Sequence, residues 1–240
     1  MGDEPPETRG PARLPLADVQ RGIILTIPMA VVFGPIGVTF GVIAVDAGLS
    51  PLNAVLMSLL VYAGAAQLAA IQLLALGAPM LSVVATAAAV NSRYLVLSAS
   101  IAPHFSGFRR LARFSYGVGL TDATYAIHIG RFASGPPRRA EIFTTNILAH
   151  SVWVGGTAIG VTVGQAIPDL ARYGIDFAIS AMFIALVVPL IQSRRDLAVA
   201  LTAAAASGIF IMAGFAHWTV LAATAVAMIM AWGMSRWTKA

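Results

Sequence analysis

Apolar residues in this chain come in long, nearly unbroken runs and do not alternate with polar ones. From Gly48 to Pro103 the only charged residue is Arg93, and none occurs between Asp46 and Arg93. A helix rises about 1.5 Å per residue and needs roughly 20 mostly apolar residues to cross a bilayer, so this run predicts two spans. Gly77 and Pro79 mark the turn between them. Among the polar groups inside the run, Ser58, Tyr62, Gln67 and Gln72 stand out against apolar or small neighbours. The second span is expected to end on Asn91, Ser92 and Arg93, which are costly to bury in lipid.

The rest of the chain repeats the pattern. Gly22 to Val45 is uncharged and long enough to span, but Pro28, Gly34, Pro35, Gly37 and Gly41 interrupt it. A proline removes a backbone donor and clashes with the preceding turn, which predicts a kink or break near Gly34-Pro35. Such a break can expose half-helix ends to a substrate, or can merely serve packing, with Gly37 and Gly41 letting a neighbour approach. Tyr116 to Phe132 is short and polar, and it lies between connectors carrying Arg109, Arg110 and Arg113 on one side and Arg131, Arg138 and Arg139 on the other. Short Arg-rich loops belong on the cytoplasmic side. Two of them cannot flank one crossing, so either this segment enters and leaves on one side or the rule is broken once. Ile142 to Pro168 is one run, and Phe177 to Ser193 is a short span containing Pro189. Leu197 to Ser235 holds two spans turning near Gly214 to His217.

The fold class that follows is all-α: a polytopic transmembrane helical bundle of about seven to eight hydrophobic segments, some broken or re-entrant. Residues 1–21 form a polar cytoplasmic tail, 22–235 a single transmembrane domain, and 236–240 a short basic cytoplasmic end. The start is Pro-rich and of mixed charge, without the basic lead and short apolar core of a signal peptide. Trp232 and Trp237 suit an interfacial belt, with Arg236 and Lys239 holding the C-terminus inside.

Composition narrows the function classes. Charged residues make up 10% of the chain and the mean hydropathy is +0.83, whereas soluble domains carry about 25% charge. A soluble globular fold is excluded. No cysteine is present, which removes disulfides, thiolate metal sites and cysteine nucleophiles. The net charge of +5 rests almost entirely on arginines in short connectors; it reads as a signal for orientation in the lipid bilayer, not as nucleic-acid binding. No metalloprotease, nucleophile-elbow, P-loop or dinucleotide motif occurs. Nothing favours an enzyme, a metal site or a cofactor.

Several residues could carry transport chemistry. Asp122 is a carboxylate in the short, polar segment from Tyr116 to Phe132, and carboxylates within spans mark ion pathways or proton relays; the bland alternative is a solvated helix between two basic loops. Thr121, Thr124 and His128 form a neighbouring polar ridge, and Tyr125 shares the face of Asp122. Arg93 offers a planar fork for a carboxylate, either Asp122 or a substrate's, or else anchors a helix end. Asn91 cannot share its face on a regular helix, so both act together only where the helix unwinds. Tyr62 and Gln67, around the small run containing Gly64, mark either a polar binding spot beside unwound backbone or a hydrogen-bonded packing contact. Asn146 and His150, four apart, share one face as secondary candidates. Gly156, Gly160 and Gly164 form a stripe read as structural. Asp176, at the start of a span, reads as interfacial.

The ordered blocks GLSPLNAVLMSLLVYAGAAQ, NSRYLVLSASIAP, LTDATYAIH, NILAHSVWVGGTAIG and IDFAISAMF resemble the AzlC family of branched-chain amino-acid permeases, over roughly Pro28 to Phe183. That resemblance implies a secondary exporter of leucine, isoleucine and valine in the inner (plasma) membrane of a bacterium. It also implies a partner, a small AzlD-type membrane subunit encoded separately, and allows a higher oligomer. An apolar pocket separates side chains differing by one methylene by only about 1–3 kcal/mol, so methionine is expected as a further substrate. Expected substrate contacts are Tyr62, Gly64, Gln67, Asn91 and Arg93, and the expected proton-coupling pair is Asp122 and His128. One position departs from the family pattern. An acidic residue tends to follow the aspartate at the position of Asp122, whereas Ala123 stands here, so two adjacent carboxylates cannot share that role. A passive channel and a non-transporting subunit that assembles a partner are the rival classes.

Overall fold

The computed structural model describes residues 16–166, 184, 187–188 and 191–237. The loop from Arg172 to Asp176 and most of the expected span at 177–193, Pro189 included, lie outside them. All regular structure among the described residues is helical.

Leu16–Asp46 forms one helix of 31 residues, α1, which begins inside the segment expected to be tail and runs through both Pro28 and Pro35. The chain does not break at Gly34-Pro35. The reason lies in its neighbour, Arg139–Ala166, here α8, against which α1 is clamped along its length. A Cβ on Gly22 would stand 2.7 Å from the Glu141 carbonyl oxygen, one on Gly37 2.8 Å from that of Trp153, and one on Gly156 2.7 Å from that of Gly34. At Gly41 and Gly160 the facing carbonyls of Thr157 and Val38 are closer still. This is backbone-to-backbone packing of the small-residue type. Positions rise together along both helices, so α1 and α8 run parallel. The end where both begin is called the basic end below.

Ser50 caps Pro51–Leu60, α2, by accepting from the Asn53 amide at 3.2 Å. This helix starts beside the end of α1 and runs back along α8. Ser58 meets Thr157 at 2.7 Å, and the Tyr62 ring lies 4.1 Å from that of His150. The chain then reverses at Val61–Ala63, where Tyr62 adopts φ +43°, a strained conformation for a bulky residue. Gly64–Ala75, α3, returns to its starting end, and Leu68 and Ile71 pack with Ile43, Ala44 and Val161. On one straight helix Ser58 and Gln67 would be separated by about 13 Å; here they hydrogen-bond at 3.1 Å. The first of the two spans expected between Gly48 and Pro103 is therefore a re-entrant hairpin, because unwinding at Tyr62 lets both half-helices bury against α1 and α8.

The turn at Gly77 (φ +67°) falls where expected. Met80–Asn91 (α4) and Arg93–Ile101 (α5) then continue as one apolar run of 26 residues to Phe105. At their joint the Leu95 amide bonds to the Ser92 carbonyl at 3.0 Å, a three-residue step. The expected end at Asn91–Arg93 is thus a joint in the middle of a crossing helix.

A second hairpin follows. Arg110–Val118 (α6) rises from the basic end and Asp122–Phe132 (α7) returns to it. Tyr116 and His128 meet across it at 3.1 Å. Helix α7 runs parallel to α5, as Arg93–Asp122 at 2.9 Å, Ser100–Tyr125 at 2.8 Å and His104–Phe132 at 4.9 Å show in turn. Tyr116–Phe132 therefore turns back at Gly119–Thr121, and both arginine connectors lie at one end. Ion pairs knit that end: Arg138 to Asp18 at 2.8 Å, and Arg131 to the buried Glu141 at 2.9 Å.

The last described elements, Arg194–Met212 (α9) and Thr219–Trp237 (α10), pack together, with Thr202 on Met230 at 2.8 Å and Gly214 (φ +84°) in the turn, and α10 leans on α4. The core thus alternates in sense. A crossing helix (α1) is followed by a hairpin inserted from the far end; an opposed crossing (α4–α5) is followed by a hairpin inserted from the basic end.

Candidate functional site

The two hairpin tips and the α4–α5 joint meet at one cavity of about 440 Å³, within the range of about 300–1,000 Å³ usual for small-molecule sites. Tyr62 and Gly64 come from the first tip, Thr121 and Asp122 from the second, and Arg93 from the joint. Apolar walls come from Val32, Phe33 and Ile36 of α1, Leu68 of α3 and Trp153 of α8.

The polar side is built by local chain geometry. Thr121 is the N-cap of α7 and forms a reciprocal capping box with Thr124, each side chain bonding the other's amide at 3.2 and 2.8 Å. Asp122 is therefore held in the first turn, where the helix dipole favours an anion. Its carboxylate meets the Arg93 guanidinium at 2.9 Å. Both side chains keep access to the cavity, at 39% and 54% exposure. The Arg93 guanidinium also lies 5.2 Å from the centre of the Tyr94 ring, and its Nε has no hydrogen-bond partner among the described residues.

The apolar side is locked from behind. The Trp153 indole donates to the Gln67 side-chain oxygen at 3.2 Å, the Gln67 amide donates to Ser58 at 3.1 Å, and Ser58 meets Thr157 at 2.7 Å. Thr157 in turn donates to the Trp153 carbonyl at 3.0 Å. Gln67 is fully buried with both ends of its amide used, so it braces the first hairpin from behind the cavity wall. A buried amide left unpaired would cost about 1–3 kcal/mol, which explains the closed circuit.

The remaining sequence candidates fall in different places. Tyr62, Gly64, Arg93 and Asp122 line the cavity together. His128 lies behind it, fully buried with Nδ1 on Tyr116 and Nε2 without a partner. Asn91, just before the joint, has a side-chain oxygen without a partner. Asn146 is buried beside Gly119 with neither amide atom bonded, and so makes no pair with His150. His150 supports the Tyr62 ring and approaches the Ser58 carbonyl at 3.4 Å. Trp153 was not legible as a wall residue, although an indole donor within a glycine-rich span needs an acceptor and so signals a fixed position. Among the described residues no cluster of three or more His, Cys, Asp or Glu could hold a metal.

Helices long and apolar enough to cross a bilayer, two hairpins that stop at mid-depth and a solute-sized central cavity define a helical membrane protein of the transporter type. A family model described as AzlC protein matches residues 28–167, and the chain belongs to that family. It is 30% identical to an uncharacterized membrane protein of Archaeoglobus fulgidus over 73% of this chain and 77% of the relative. It is 34% identical to an uncharacterized membrane protein of Helicobacter pylori over 55% of this chain and 58% of the relative. It is 25% identical to the inner membrane protein YgaZ of Escherichia coli over 72% of this chain and 74% of that protein. No solved structure matches.

Proposed function

We propose that this chain is a secondary transporter that exports leucine, isoleucine and valine, and accepts methionine, in exchange for protons. The observation that carries the reading is the Arg93–Asp122 pair in a cavity with otherwise mostly apolar walls, at the meeting point of two opposed hairpins. Ionisable groups at mid-depth in a bilayer are costly and belong to substrate or ion paths. The apolar walls suit a branched side chain, and the polar side, with Asp122 on it, suits the charged end of an amino acid. Tips of discontinuous helices at the midplane are a recurrent transporter binding geometry. Asp122 is the proton carrier in this reading, and His128 a relay behind it.

The basic end gathers Arg21, Arg109, Arg110, Arg113, Arg131, Arg138 and Arg139 with Asp18 and Glu141, whereas the opposite end of α1 carries Asp46. By the positive-inside rule it faces the cytoplasm of the cell that makes the protein. We take the membrane to be the bacterial inner membrane, with the C-terminus cytoplasmic beside Arg236 and Lys239. The resemblance to the AzlC permeases supplies the substrate class and a small AzlD-type subunit as partner.

The test is uptake of labelled leucine into inside-out vesicles carrying the chain and its small partner, with and without an imposed proton gradient. Saturable, gradient-driven accumulation that Asp122→Asn abolishes supports the reading. Full gradient-dependent uptake by Asp122→Asn removes the proton role, and no uptake by the folded complex removes the amino-acid role. Flux that neither saturates nor concentrates points to a channel.

A further inference from the structure

The two hairpins bring the amino ends of their returning helices, α3 and α7, to the same cavity, and these ends differ in one respect. The end of α7 is satisfied: Thr121 and Thr124 cap it, and Asp122 supplies a negative charge in its first turn. The end of α3 is not. Its N-cap is Ala63, which has no side chain to bond a backbone amide, and its first turn holds no acidic residue. The amides of Gly64, Ala65 and Ala66 have no hydrogen-bond partner among the described residues. Gly64 and Ala65 line the cavity.

A second, independent feature points to a ligand at that end. Tyr62, at the strained tip, lines the same cavity and is 95% buried, since only 5% of its surface is exposed, and its buried hydroxyl has no hydrogen-bond partner among the described residues. A buried tyrosine hydroxyl ordinarily finds a partner. Here an unpartnered hydroxyl stands two residues before free amides that carry the positive end of a helix dipole. Arg93, the one formal cation among the described wall residues, is already paired with Asp122.

From this asymmetry we propose that the amino end of α3, through the amides of Gly64 and Ala65 together with the Tyr62 hydroxyl, is the carboxylate subsite of the cavity. The inference rests on the transporter reading above and assigns the end of the substrate that each wall holds. The carboxylate takes the place at α3 that Asp122 takes at α7. The ammonium is left facing Asp122, and the side chain lies along Phe33, Ile36 and Trp153. Gly64 is required because a Cβ there would stand 2.7 Å from the Trp153 ring, closing the approach to the amides.

The test uses the full chain with its small partner in liposomes, and compares labelled leucine with leucinamide, which lacks the carboxylate, as competitor. Two variants remove one donor each: Tyr62→Phe, and Ala65→Pro, which deletes an amide in a first turn where proline is tolerated. Each is expected to weaken leucine about tenfold, the scale of one charge-assisted hydrogen bond, while the affinity of leucinamide stays within about twofold. Equal losses for leucine and leucinamide overturn the subsite. So does carboxylate selectivity that survives both variants and disappears in Arg93→Gln. A thermal-shift measurement on the purified protein with 4-methylpentanoate and its amide runs alongside. If the wild type transports no leucine, the transport reading fails, and this measurement decides the subsite alone. Protection by the acid but not the amide, lost in Tyr62→Phe, upholds it, and no protection by the acid overturns it.

Discussion

Arg93 and Asp122 hold each other at 2.9 Å although one sits on a helix joint and the other in the first turn at the tip of a separate hairpin. The pair ties the crossing helix to the second hairpin at the floor of the cavity. Both side chains are partly solvated, so the bond adds little to folding, in the range of about 0–1 kcal/mol. Asp122→Asn and Arg93→Gln should therefore unfold within a few degrees of the wild type in detergent. Transport of leucine should fall at least about tenfold in each, because Asp122 loses either its carboxylate or the cation that holds it in place on the cavity wall. Thermal denaturation beside vesicle uptake checks this; variants that unfold early would show that the pair is structural.

The α1–α8 seam should respond sharply to single methyl groups. Gly160→Ala and Gly41→Ala place a Cβ against the facing backbone, where nothing flexible can move aside, and overpacking of this kind costs about 1–3 kcal/mol. Gly155, on the same helix, has nothing within 4 Å, and Gly155→Ala should stay within about 0.5 kcal/mol of wild type. Thermal stability of the three purified variants gives the comparison. Equal stability of Gly160→Ala and Gly155→Ala would contradict the close parallel packing.

The circuit behind the first hairpin predicts a stability defect, not a binding defect. Gln67→Leu removes the acceptor of the Trp153 indole and the donor to Ser58, leaving buried polar groups unpaired at about 1–3 kcal/mol. The melting temperature should drop, while the ratio of leucine to leucinamide affinity stays at its wild-type value. A changed ratio with unchanged stability would move Gln67 to the cavity wall.

The two connectors on either side of the second hairpin should be reached from one face of the membrane. No native cysteine is present, so Ser106→Cys, Ser134→Cys and Asp46→Cys can each be labelled cleanly with an impermeant thiol reagent. Ser106 and Ser134 are exposed at the basic end. Both should react in inside-out vesicles and be protected in intact cells, with Asp46→Cys showing the reverse. Labelling of Ser106→Cys and Ser134→Cys from opposite faces would make the second hairpin a crossing.

Length and composition of the apolar runs determined the solvent: with so few charges and no charged residue between Asp46 and Arg93, only a bilayer can surround this chain. The turns at Gly77 and near Gly214 were legible as well, because each needs the left-handed backbone that glycine adopts without strain. Arg93 was marked as costly by its charge at the end of an uncharged apolar run, and Asp122 by a carboxylate inside a short candidate span. Which residues meet was decided only by the tertiary structure. Hydropathy counts residues and does not show where a helix reverses, so Gly48 to Gly77 reads as a span although the chain turns back at Tyr62. That reversal depends on surface supplied elsewhere in the sequence: α1 and α8 bury both halves of the hairpin, and Ser58, Gln67, Trp153 and Thr157 exchange their hydrogen bonds across it. The same surface keeps α1 one continuous helix through two prolines whose local chemistry argues for a break. Local sequence fixes what each segment costs in lipid, and long-range packing fixes which of the affordable paths the chain takes.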